Sequence, residues 1–179
     1  MKYYTDTEWE RALEWLYPGQ HLDYTATILC ATNENVDMWN SVAQNMNLSA
    51  PKTLISKDTF SEVDDPHGHI QRMLSTPVLN SFKKNGIPNH ELILKIGDVC
   101  LVTRALTGLE IANNSRVRIV AIGEHTIKVM TMGERTERTV KIPRIIFKFR
   151  LPYGKSYQLT RKQFLLQLAY AMTYNKSQS

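Results

Sequence analysis

Between Val117 and Phe149 the chain changes direction about every ten residues, and this spacing restricts its folding more than any other feature. Val117–Ile122, His125–Met130, Arg138–Ile142 and Ile145–Phe149 are each of strand length, and Gly123-Glu124 and Gly133-Glu134 stand at turns between them. No helix of ordinary length fits between such breaks, whereas short antiparallel strands do. The spacing predicts a small β-barrel or sandwich. A similar alternation precedes it: Leu92, Leu94 and Ile96 alternate with Ile93 and Lys95, Gly97-Asp98 breaks the run, and Val99–Val102 follows.

The first half reads differently. Ala26–Ala31 is a short run, apolar on both sides of the strand alternation, which suits a buried strand of a parallel sheet. It ends at Thr32-Asn33, both good N-cap residues, and Val36, Trp39, Val42, Ala43 and Met46 then recur at helical spacing. Strand, polar turn and helix make half of a βαβ unit, whose ligands sit where strands end and helices begin. Thr5-Asp6-Thr7 caps an expected amphipathic helix through Trp9, Ala12, Leu13 and Leu16 that Pro18 stops. Thr53–Ser56 suits a short strand, and Thr76-Pro77 opens a short helix closed by Gly86. Leu165–Met172 is again densely apolar. The predicted class is α/β with an inserted small β module.

The 179 residues, 42% hydrophobic, suffice for one domain or one domain with an insertion. No stretch approaches 18 consecutive apolar residues, so no membrane helix is expected, and no secretory signal follows Met1-Lys2. Cys30 and Cys100 stand singly in apolar segments, as buried reduced thiols do. An intracellular location follows as the default.

The net charge of +5 is unevenly distributed. Residues 1–90 carry 7 Lys and Arg against 11 Asp and Glu, a net of −4, while residues 91–179 carry 15 against 6, a net of +9. A basic second half raises the expectation of a polyanionic partner. Its cations Arg135, Arg138, Lys141, Arg144, Lys148, Arg150, Lys155, Arg161 and Lys162 are interleaved with Phe147, Phe149, Tyr153 and Tyr157. That pattern suits a nucleic-acid track in which phosphates meet cations and bases stack, and equally the solvated face of ordinary strands.

Familiar catalytic motifs are missing. Gly154-Lys155-Ser156 is no P-loop, because Phe149 stands where the first glycine is required and Pro152 intervenes. Neither cysteine has a nearby histidine, and there is no Gly-x-Ser-x-Gly elbow. Glu62–Pro66 reads as an acidic exposed loop, and His67-Gly68-His69 lacks a full metal-ligand set.

Several segments, taken in order, resemble one family. Ile28–Val36 followed by Asn40 is similar to the fourth helicase motif of Pif-type (superfamily 1B) DNA helicases, whose relatives accompany Helitron transposons. Gly86–Arg104, Gly108-Leu109 and Asn113–Val117 resemble the family's approach to its small barrel. Ile142–Ile145, Arg161–Phe164 and Leu168–Gln178 resemble the approach to motif V and the motif itself.

The resemblance implies a second RecA-like motor domain with an inserted SH3-like barrel. Residues 1–108 would form its first part, 109–160 the barrel and 161–179 the return with motif V. It implies that Thr32, Asn33, Arg104, Thr173, Asn175 and Lys176 contact single-stranded DNA, and that Ser177 and Gln178 face the nucleotide. A complete enzyme of this kind couples hydrolysis of ATP, with Mg²⁺, to 5′→3′ strand separation. The P-loop, the acidic metal motif, the glutamine motif and the arginine-bearing sixth motif do not occur in this sequence. The expectation is therefore a C-terminal fragment, nuclear, needing the N-terminal RecA-like domain as partner, without cofactor or ATPase activity of its own. The alternatives are a non-catalytic nucleic-acid-binding module and a functionless transposon relic. Asn113-Asn114-Ser115 replaces the family's Asn-Gly-Thr, so the turn loses its glycine.

Overall fold

A computed structural model of the chain describes residues 27–62, 87–133, 137–150 and 157–174, together with Arg11, which is helical. The rest of the expected N-terminal helix, the acidic loop, His67 and His69, the Thr76–Gly86 helix, and Gly154-Lys155-Ser156 lie outside the described residues.

The strand–turn–helix unit forms as its pattern requires. Strand β1 (Ile28–Cys30) leads into α1 (Asn33–Met46). Thr32 caps the helix in an extended conformation, its Oγ1 accepting from the Asn35 N–H at 3.3 Å. Val36, Asn40 and Ala43, spaced at four and three, are its buried residues. Leu29 departs from the expected burial at 46% exposure, because among the described residues this sheet has only two strands and one packed face.

β2 (Lys52–Ile55) pairs with β4 (Glu91–Leu94), and β3 (Lys57–Glu62) follows β2. Gly97, at φ +91°, turns the chain from β4 into β5 (Val99–Val102). After a single 3-10 turn (Thr107–Leu109) come β6 (Arg116–Ile122), β7 (Thr126–Thr131) and β8 (Thr139–Pro143). They form an antiparallel meander, joined by β5 and β11 (Leu166–Leu168) in the order β11-β5-β6-β7-β8. Gly123 makes the β6–β7 turn, where a Cβ would lie 2.8 Å from the Thr126 carbonyl oxygen. Asn114 occupies the left-handed region at φ +61°, so asparagine takes the conformation for which the Pif-type pattern carries glycine.

The fourth expected strand, β9 (Ile145–Arg150), does not continue the meander. It pairs with β10 (Tyr157–Gln163), which pairs in turn with β3. The result is an open five-stranded sheet and a separate three-stranded sheet, and no closed barrel forms among the described residues. β12 (Ala171–Thr173) pairs in parallel with β1. The whole is a mixed, sheet-rich α/β fold.

β5 is buried at all four positions because it separates two cores. Alternation sends Cys100 and Val102 into the main core with Val117, Ile119, Ile127 and Phe164, and it sends Val99 and Leu101 into a second core with Ala43, Tyr170 and Met172. Burial raises the pKa of both thiols, that of Cys100 well above the ordinary range with the Asp98 charge adding to the effect. No described helix is long and apolar enough to cross a membrane.

Candidate nucleic-acid interface

Parallel pairing of β1 with β12 brings the two halves of the site together. Ile28 stands opposite Ala171, Leu29 opposite Met172 and Cys30 opposite Thr173. Both strands therefore end at one level, and Thr173 lies at the edge where Thr32 and Asn33 open α1. This is the strand-end position at which open α/β sheets take ligands. The N–H groups of Asn33 and Glu34 have no intrahelical acceptor, and the helix dipole places positive potential there. Thr32 and Asn33 are exposed and Thr173 is half-buried. The Glu34 carboxylate, exposed in the first turn, opposes an anion at the same point.

The site rests on two polar ties. Asn40, buried in α1, donates from Nδ2 to the Ala171 carbonyl at 3.3 Å and accepts at Oδ1 from the Ala171 N–H at 2.9 Å. Both backbone groups of one β12 residue are thereby satisfied by the helix. The second tie is Asp98, fully buried at the β4–β5 turn. Its carboxylate accepts from Gln44 Nε2 at 2.6 Å, Asn47 Nδ2 at 2.8 Å, the Lys95 N–H at 2.8 Å and the Tyr170 hydroxyl at 3.0 Å. Lys95 Nζ donates to the carbonyls of Gln44 and Asn47, placing a cation on the negative end of the helix. Burial, followed by the Asp98 charge and hydrogen bond, holds the Tyr170 phenol far above its ordinary pKa, so it remains a donor. Sequence reasoning missed Asp98: it stands in a Gly-Asp turn, and nothing local distinguishes it from a solvated aspartate.

The cleft at the strand ends is shallow. Asn33, Val36, Leu101, Gln167, Met172 and Thr173 line much of it, and its volume of about 10 Å³ has room for roughly one water. Contacts here are made along a surface. ATP with Mg²⁺ does not fit these residues: no phosphate-sized hollow is present, and no group of three His, Cys, Asp or Glu stands together among the described residues. No hydrolytic step is derived from them.

The structure thus unites Thr32, Asn33 and Thr173. Arg104 is exposed in the bend after β5 and is not among the residues lining the cleft. Asn175, Lys176, Ser177 and Gln178 lie outside the described residues.

The basic track is reorganised. Strand alternation turns Phe147 and Phe149 into the interior, so neither ring is available to stack on a base. Arg161 is also fully buried: it meets Asp58 with Nη2–Oδ2 at 2.8 Å and both Nε contacts at 3.1 Å, and it donates from Nη1 to the Pro88 carbonyl. Ser56 and His90 complete the surroundings of Asp58. Burial would raise the Asp58 pKa, but the Arg161 and Ser56 hydrogen bonds and the charges of Arg161 and His90 outweigh it and hold the carboxyl below its usual range. Arg144 stacks on Phe164 at 4.6 Å and donates to the Ile55 carbonyl and to Gln163, while Arg138 pairs with Glu110. Arg135 and Lys155 lie outside the described residues. Lys141, Lys148, Arg150 and Lys162 remain exposed.

No family model matches this sequence, and no curated protein sequence matches it either. Solved structures do. The Pif1 helicase from Candida albicans superposes over 98% of this chain with a TM-score of 0.62 at 20% identity, the match covering 42% of that helicase. Unliganded Pif1 from a Bacteroides species matches over 88% of this chain and 44% of its own, with TM-score 0.57 and 17% identity. Bacteroides Pif1 bound to single-stranded DNA matches over 97% and 37%, again with TM-score 0.57 and 17% identity. This chain thus has the fold of about two fifths of these helicases, the fold that the ordered resemblance implied.

Proposed function

We propose that this chain supplies the second, RecA-like motor region of a Pif1-type ATP-dependent DNA helicase, with the small β strands as its SH3-like insertion. In this reading Thr32, Asn33 and Thr173, with Asn175 and Lys176 following, hold the backbone of single-stranded DNA. Arg104 adds a peripheral cation, and Ser177 and Gln178 face a nucleotide held chiefly by another domain. One observation carries the reading: β1 and β12, 143 residues apart from Ile28 to Ala171, pair in parallel so that the fourth-motif turn and the start of motif V share one edge. The hydroxyl of Thr173, the Asn33 amide and first-turn N–H groups are donors suited to phosphate oxygens. The Bacteroides relative in complex with single-stranded DNA and those with ADP-AlF4 support the class of ligand.

The test is fluorescence anisotropy with a labelled oligothymidine at low salt. Asn33→Ala and Thr173→Val each remove one donor and leave the Thr32 cap intact. Each is expected to weaken binding by about threefold to tenfold, the equivalent of one hydrogen bond. Unchanged affinity in both variants rejects the assignment of this edge. The chain alone is expected to show no ATP turnover; hydrolysis that tracks the purified protein would overturn the two-domain reading.

A further inference from the structure

The outer face of the three-stranded sheet is a lattice of cations that only the tertiary pairing creates. The registers align Lys57, Lys162 and Ile146 in one row, Thr59, Thr160 and Lys148 in the next, and Gln158 with Arg150 in the third. Residues directly opposite one another share a face. Rows lie about 7 Å apart along the strands and strands about 5 Å apart across them. Lys57, Lys148, Arg150 and Lys162 are all exposed, and no described side chain of this face is a carboxylate. The one acid nearby in sequence, Asp58, points to the opposite face and is held there by Arg161.

The arrangement has a cost. Lys57 stands directly opposite Lys162, and like charges so placed repel across a sheet. A bound polyanion removes that repulsion. The aromatic residues of β9 are turned inward, so this face lacks the stacking platforms that single-strand binders use. What it offers is charge and hydroxyls on a firm, gently twisted surface, chemistry that reads phosphates and ignores bases.

We propose that the outer face of β3-β10-β9 is a second DNA-binding surface that holds the phosphate backbone of a duplex through Lys57, Lys148, Arg150 and Lys162, without reading sequence. It uses different residues and a different sheet from the strand-end site, and it does not depend on the motor assignment.

The experiment measures anisotropy of a labelled 20-base-pair duplex of mixed sequence across a salt series, with the complete chain. A fourfold variant, Lys57→Gln, Lys148→Gln, Arg150→Gln and Lys162→Gln, is compared with Lys128→Gln, Lys141→Gln, which removes an opposed pair of exposed lysines from the five-stranded sheet. The fourfold variant is expected to lose duplex affinity by tenfold or more at low salt, and its log–log salt slope is expected to fall by about 3 to 4, or ~0.9 per phosphate released. The control pair is expected to retain most of its affinity. Wild-type affinity and slope in the fourfold variant overturn the proposal, as does a loss matched in proportion to charge by the control. Loss of binding to anionic phospholipid vesicles with duplex binding intact would assign the face to a membrane and also overturn it. If circular dichroism shows the fourfold variant unfolded, Lys148→Gln and Lys162→Gln singly are read instead, each expected to lower the slope by about 1.

Discussion

Arg161 illustrates how far burial decides the meaning of a charged residue. In the sequence it is one of nine basic residues between 135 and 162; in the fold it is a fully buried cation whose guanidinium engages Asp58 and the Pro88 carbonyl. Removing one partner of such a pair leaves the other as an unpaired buried charge, at a cost of about 3–5 kcal/mol. Arg161→Ala is therefore expected to lower the thermal midpoint sharply, whereas Lys162→Ala, one residue away and exposed, is expected to change it little; circular dichroism melts of the two decide. The pair also sets an acid limit. Because the folded-state pKa of Asp58 is below the unfolded value, its stabilisation is complete above about pH 4 and is lost as pH falls through the depressed folded value. Asp58→Asn is expected to be less stable at neutral pH and to show a flatter stability–pH profile below pH 4.

At the scale of elements, α1 and β12 hold each other in place. Thr32 closes the start of the helix, Lys95 and Asp98 fix its end, and Asn40 bonds both backbone groups of Ala171. Asn40→Ala leaves that N–H and carbonyl buried and unpaired, at a cost of about 1–3 kcal/mol. The expected signature is local: faster amide exchange at Ala171 and weaker single-strand binding, since Thr173 is two residues on. Exchange at Ala171 identical to wild type would contradict this role. The helix, its cap and the strands from β4 to β8 were legible in the sequence because each depends on local spacing and turn chemistry. The pairing of β9 was not legible, because the meander could continue through it equally well; the partner it takes, β10, lies across residues 151–156, and β3 pairs from a hundred residues away.

At the scale of the whole molecule, β5 joins the two cores, and the five-stranded sheet takes β5 and β11 from either side of the segment 109–160. A strand buried on both faces cannot lose one core without exposing the other. The amides of β5 are expected to exchange only through global unfolding, with one cooperative transition for both cores. Two separable transitions would show that the cores are independent. The candidate site depends on the same connectivity: Leu101 and Gln167, from β5 and β11, complete the cleft beside Asn33 and Thr173.

By itself the sequence determined the α/β class, the strand–cap–helix unit at Thr32, the short β strands and the likeness to Pif-type helicases, since all of these rest on periodicity, caps and ordered motifs along the chain. Tertiary structure alone decided that Thr32, Asn33 and Thr173 share an edge, that Asp98 is a buried anchor, and which basic residues remain free to meet a polyanion. The physical reason is that burial and strand pairing are contacts between distant segments. A lysine or arginine carries the same charge in the chain whether it ends beside a buried carboxylate, as Arg161 does, or on an open sheet face, as Lys162 does.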